Sequence, residues 1–154
     1  GGGVLSCPEY FVPPSAEKSA KSPLFIRRSV LSTWSAPTEI CFFQLHEAFQ
    51  AQYEEIFEAI DEIAERVRAL DCYSAGGLKT LAAMRKVQEG PSAAACSAKD
   101  FVSSIVLAHE QVMEGLLEVR KVAGEAGDAE TEDLLIGRIK SHQKAVWFLK
   151  SYLK

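Results

Sequence analysis

Two carboxylates and one imidazole carry the most pointed chemistry in this chain. Asp61 and Glu65 lie four residues apart, and on a helix that spacing makes them neighbours on one face. Such a pair can grip a single hard cation from one turn. His46 precedes Asp61 by fifteen residues, which is about 22 Å along a helix axis at roughly 1.5 Å per residue. If one helix carries all three, His46 cannot share a metal with the carboxylates of its own chain. A common site then requires a second copy, its helix antiparallel across a two-fold axis, and that symmetry generates two equivalent mixed sites.

The same stretch is acidic beyond this pair. Glu47, Glu54, Glu58, Asp61 and Glu65 fall on one stripe. Stacked like charges repel, so the stripe faces either water or cations. The other two histidines, His109 and His142, sit on or beside apolar stripes and read as packed or hydrogen-bonded core residues. The chain holds no nucleophile-elbow motif, no GxxxxGK[ST] and no GxGxxG, which argues against nucleophilic catalysis and phosphate cradling.

The elements that would position these groups are helices. No Gly or Pro occurs between Thr38 and Gly76. Leu45, Phe49, Ile56, Ile60, Ile63, Val67 and Leu70 recur at helical spacing, predicting one long helix over about residues 39–70. Gly76-Gly77 ends it. Leu78 to Val87 reads as a short helix, and Glu89 to Ser97, with Gly90-Pro91, as a loop. A second long helix is expected from Ser97 to Ala123, along the stripe Phe101, Ile105, Ala108, Val112, Leu116, Val119 and Ala123. A turn at Gly124–Asp128 precedes a third helix from about Ala129 to Leu153, with Leu135, Ile139, His142, Val146, Leu149 and Leu153 on one side. So short a turn makes these two helices antiparallel neighbours. No strand-period segment or internal repeat appears, so the class is all-α.

The first third differs. Five of the six prolines lie in the first forty residues, and proline breaks helix interiors. Residues 1–37 therefore read as an irregular tail with at most a degraded first helix at Leu24–Trp34, and 38–154 as the helical bundle. The opening triple glycine reads as a processed or tagged end. Lys18, Lys21, Arg27 and Arg28 form a weakly basic arm, a balance of +1 over residues 1–40 that leaves −5 on the rest of a chain of net charge −4. That balance excludes a polycation seeking nucleic acid with its whole surface. No apolar run reaches the roughly 20 residues of a membrane span. Cys7, Cys41, Cys72 and Cys96 form no CxxC pair and read as reduced thiols of a cytoplasmic protein.

The run Phe42-Phe43-Gln44-Leu45-His46-Glu47-Ala48-Phe49, then Tyr53, then Asp61-Glu62-Ile63-Ala64-Glu65-Arg66, resembles the second helix of Dps proteins, the DNA-binding proteins of starved cells. The family pattern there is FxxLHxxF, a Tyr four residues on, and DxxAER. Gly127-Asp128, Leu134-Leu135 and the stretch His142 to Ser151 resemble its closing helix, so the resemblance covers about residues 42–153. It implies a ferritin-like four-helix bundle with a short extra helix between the second and third long helices. It also implies a hollow homo-oligomer, a dodecamer that stores iron. His46 of one copy would face Asp61 and Glu65 of another, iron(II) would be oxidised there with hydrogen peroxide, and the acidic stripe, Glu58 included, would gather cations. Asp128, Glu132 and Asp133 would line a three-fold entry pore.

One departure stands out. Where the family's first helix carries a His-Trp pair, this chain has Thr33-Trp34, and threonine does not replace an imidazole ligand. The resemblance thus leaves open a ferroxidase-impaired shell that acts structurally or protects DNA, which the Lys18–Arg28 arm would bind weakly. A monomeric or dimeric helical interaction module would fit the apolar stripes but not the LH…DxxAER spacing.

Overall fold

The computed structural model describes residues 42–75, 80, 83, 87 and 97–154. The expected tail at 1–37, its short first helix, Thr33, the basic arm and most of the 89–97 loop lie outside the described residues. Of the expected short helix at 78–87, Thr80 and Ala83 are helical, Val87 forms a bend rather than helix, and the other residues lie outside them. Three long helices make up the described part: α1 (Phe42–Ala69), α2 (Ala98–Glu125) and α3 (Ala129–Leu153). Among the described residues there is no strand, and no helix is long and apolar enough to cross a membrane.

Each helix follows its apolar stripe, and α1 and α2 stop where local hydrogen bonding stops them. α2 begins in a capping box: the Ser97 hydroxyl accepts from the Asp100 N–H, and the Asp100 carboxylate accepts from the Ser97 N–H, which satisfies two orphan donors reciprocally. α1 ends with Asp71 in the left-handed region, φ 58°. There Cys72 N–H donates to Val67 C=O and Asp71 N–H to Arg68 C=O. The α2–α3 turn repeats this device with Gly127 at φ 73°. Asp128 N–H donates to Ala123 C=O and Gly127 N–H to Gly124 C=O. Both are Schellman ends, in which the left-handed residue lets the chain reverse while the last carbonyls stay bonded.

The core has two main parts. Ala108, Val112, Leu116 and Val119 of α2 pack on Leu135 and Ile139 of α3, with Val87. Toward the other end, Val102, Ile105 and Val106 pack on Val146 and Leu149, and here α1 inserts Phe49. Phe49 meets the Phe101 ring edge-on at 5.9 Å. The α2–α3 hairpin is zipped along its length, whereas α1 meets α3 over a shorter contact. A small third cluster joins Val67 and Cys72 at the end of α1.

The thiol expectation needs one correction: Cys72 is disulfide-bonded. Its partner sulfur lies outside the described residues. Spacing along a chain does not show which sulfurs the fold brings together, so the absence of a CxxC pair was no guide.

A Cβ at Gly127 would meet nothing within 4 Å, so the cost of adding one is purely conformational. Gly127→Ala should lower stability by about 1 kcal/mol, measured by denaturant unfolding, and Gly127→Asn by less, because Asn tolerates the left-handed region.

Candidate intersubunit metal site

α1 runs unbroken over 28 residues, so His46 and Asp61 are fixed about 22 Å apart on one rod. His46 is half-buried, and Glu58, Asp61 and Glu65 are exposed. Among the described residues no three His, Cys, Asp or Glu side chains come together as a metal-holding group. A single chain thus brings Asp61 next to Glu65 but leaves His46 remote from both.

The surface around these residues is unusual. At about 100° per residue, His46, Phe57 and Asp61 project within roughly 60° of one another around the α1 axis. Phe43 and Phe57 lie on this ribbon with 67% and 54% of their surface exposed. Two large apolar rings set among carboxylates are poor partners for water, and they make the ribbon an exposed apolar patch.

Polar pins set how α1 is rotated. On the side facing α2 and α3, Gln52 Oε1 lies 3.2 Å from His109 Nε2. Glu55 accepts two hydrogen bonds from the Arg138 guanidinium. Arg66, the last residue of the DxxAER run, donates through Nη2 to Asp128 Oδ1 at 2.7 Å and through Nε to Thr131 Oγ1 at 2.9 Å. These pins lie at three heights and draw one side of α1 inward. The ribbon with His46, Asp61 and Glu65 is left outward.

The turn residues expected to line a pore are engaged within the chain. Asp128 is the N-cap of α3 and accepts from the Thr131 N–H and hydroxyl as well as from Arg66. Glu132 pairs with Arg120 at 3.2 Å, its carboxylate 3.2 Å from where a Cβ on Gly124 would sit. Asp133 is exposed.

Both remaining histidines are core residues, as expected, but they touch. His109 Nδ1 lies 2.8 Å from His142 Nδ1. Burial pushes His109 down to about 4, with Glu55 pulling up and Arg138 down. Burial, His109 and Arg138 push His142 down to about 3. Burial alone would raise the Glu55 carboxyl, but Arg138 outweighs it and holds the group below its ordinary value. Sequence reasoning missed Arg138 and Glu55 altogether. The one available signal was an arginine one turn before His142 on the buried stripe of α3.

The helical class defined by this fold has a match. Residues 31–154 match the ferritin-like domain family. A Dps of Staphylococcus aureus superposes with a TM-score of 0.84 at 26% identity, over 97% of this chain and 99% of that one, and a Dps of Bacillus brevis with 0.82 at 27%, over 93% and 95%. A DNA protection during starvation protein of Porphyromonas gingivalis is 33% identical over 115 residues, 72% of this chain and 69% of that protein. An uncharacterized low temperature-induced protein of Nostoc sp. is 32% identical over 114 residues, 73% of this chain but 63% of its own length. The chain belongs to the Dps family of ferritin-like proteins.

The two turn carboxylates should separate on mutation. Asp128→Ala removes a cap and the partner of Arg66 and should cost about 2–4 kcal/mol. Glu132→Ala removes a half-exposed pair and should cost below about 1 kcal/mol. Thermal unfolding of both variants checks this.

Proposed function

We propose that copies of this chain pair across a two-fold axis, His46 of one opposite Asp61 and Glu65 of the other, and that the paired site oxidises iron(II) for storage inside a closed shell. The observation that carries this reading is the unbroken α1 rod. It separates the imidazole from the carboxylates by about 22 Å and presents all three on one outward ribbon with Phe43 and Phe57. An antiparallel second α1 covers the apolar rings and closes the distance at both ends. The family supports iron storage and DNA protection as the general role.

The residues divide the work by charge and softness. His46 offers a neutral nitrogen, while Asp61 and Glu65 neutralise the cation and supply the oxygen ligands that hard iron prefers. Hydrogen peroxide is the oxidant of this reading. It accepts one electron from each of two iron(II) ions and, with two protons, leaves as two water molecules. The ferric product then hydrolyses to mineral and returns protons to the solvent. Glu47, Glu54 and Glu58 extend the acidic stripe and raise the local concentration of cations. A homo-oligomer, a dodecamer in this reading, would enclose the mineral, and Asp128 and Glu132 would stand near its entry pore. Both carboxylates already serve the turn, so we rank the pore below the two-fold site. Exposed Trp147 and Phe148 on α3 offer further apolar surface for assembly.

A second reading is favoured by Thr33-Trp34: a shell that assembles and protects DNA while oxidising iron poorly. Its DNA contact would be the Lys18–Arg28 arm. With so few cations per copy, binding would rest on avidity and vanish with salt.

Size exclusion should give a particle of about twelve times the 16.9 kDa of the chain. Iron(II) oxidation with peroxide, followed in the near ultraviolet, should slow at least about tenfold in His46→Ala and Asp61→Ala without loss of the particle. Unchanged rates would remove the two-fold site from the account, and a slow rate in the unaltered protein would favour the second reading.

A further inference from the structure

Beneath the outward ribbon lies a polar core that the proposed iron chemistry does not use. His109 and His142 are 2% and 3% exposed, their ring centroids 5.1 Å apart and their Nδ1 atoms 2.8 Å apart. One proton serves that contact. Gln52 Oε1 is an acceptor, so His109 donates to it from Nε2, and His109 Nδ1 accepts from the Nδ1–H of His142. The tautomers follow from the network. The chain of bonds ties α1 to α2 and α2 to α3. One extra proton buries a cation beside Arg138, and a second sets N–H against N–H.

The charged groups around the pair do not relieve this. From α1 comes Glu55, but its carboxylate is already held by Arg138. From α3 come Arg138, whose charge opposes protonation of both imidazoles, and Lys144, which lines the same cavity. From α2, Glu110 is paired with Lys150. A cavity of about 370 Å³ between α1 and α3, lined by Gln52, Glu55, His109 and His142, gives water and its protons a route to the pair.

We propose that the Gln52–His109–His142 chain and the Glu55–Arg138 pair form a proton-operated latch, which holds α1 against the α2–α3 hairpin and releases it in acid. α1 is the element that leaves because apolar clusters on both sides of the pair hold the hairpin. α1 has a shorter contact, and its pins add to the burial of Phe49, Ile56, Ala59 and Val67. The sign is fixed by linkage. Released imidazoles take up protons near the ordinary value of about 6.5, whereas the latched ones stay neutral until about 4 and about 3. The released state therefore binds more protons as pH falls through that interval, and the latch weakens progressively across it. Arg138 holds the Glu55 carboxyl below its ordinary value, so the histidine chain is the part of the latch that yields first. The inference rests on the described fold alone and stands or falls independently of the iron site.

The test is hydrogen exchange of the assembled protein by mass spectrometry from pH 7.5 to 4, corrected for intrinsic rates. Residues 42–69 should lose protection at a midpoint between about pH 6.5 and 4, before residues 98–153. Loss of protection in both regions together, or none by pH 4, overturns the latch. His142→Gln keeps a donor for His109 Nδ1 without a titrating ring. It should stay assembled at pH 7.5 and shift the α1 midpoint down by at least about half a pH unit; an unshifted midpoint overturns the proposal. Should that variant fail to fold, deuterium uptake at the imidazole carbon of each histidine in the unaltered protein decides. His109 and His142 should titrate below about pH 5, and titration near the ordinary value of about 6.5 overturns the latch.

Discussion

The rigidity of one helix governs everything else. An α-helix rises a fixed distance per residue and does not fold back, so an imidazole and a carboxylate pair placed fifteen residues apart on α1 cannot meet within the chain. Such a chain either leaves these groups to the solvent or uses a neighbour. Phe43 and Phe57, exposed on the same ribbon, weigh toward the neighbour, since water is a poor partner for two rings among carboxylates. In the proposed reading, assembly and chemistry are one requirement: the surface that pairs the copies would also complete the site.

A rod used this way must also be turned correctly. Phe49, Ile56, Ala59 and Val67 anchor α1 in the apolar core, but apolar contacts alone permit some rotation. Gln52, Glu55 and Arg66 remove that freedom by bonding to His109, Arg138 and the α3 N-cap at Asp128 and Thr131. Arg66 is a useful case. It belongs to the DxxAER run beside Glu65, the carboxylate proposed for the metal site, yet its side chain turns inward and fixes the turn between α2 and α3. The segment that resembles a metal-binding motif is thus also a packing motif, with one face turned to the core. The same division explains why so polar a helix stays in place: its inward polar groups are partnered, as burial demands.

Most of this architecture was legible because helical periodicity is a strong signal. The apolar stripes of α2 and α3 are the buried ones, and α2 ends and α3 begins where the turn glycines and Asp128 place them. α1 likewise follows its expected span, described from Phe42 to Ala69. What was not legible was pairing across long sequence distance. Arg138 and Glu55 are 83 residues apart, and each alone resembles an ordinary surface charge. His109 and His142 were expected in the core but not in contact, because a stripe gives a face and not a height. Cys72 shows the same limit, since only the fold reveals a sulfur partner. Asp128 was read for its charge; its place just before α3, three residues ahead of Thr131, already suits an N-cap.

The claim at the centre is that the iron site is shared between copies, and mixed assemblies address it most directly. His46→Ala chains and Asp61→Ala/Glu65→Ala chains each lack every complete site. When unfolded together and refolded at equal amounts, half of all pairs are mixed under random pairing, and in each mixed pair one of the two sites regains both halves. Anaerobic calorimetry of iron(II) binding should then show the two-fold site absent from each variant alone and restored in the mixture to about a quarter of the unaltered protein. No recovery in the mixture, from chains shown to co-assemble, would contradict the shared site.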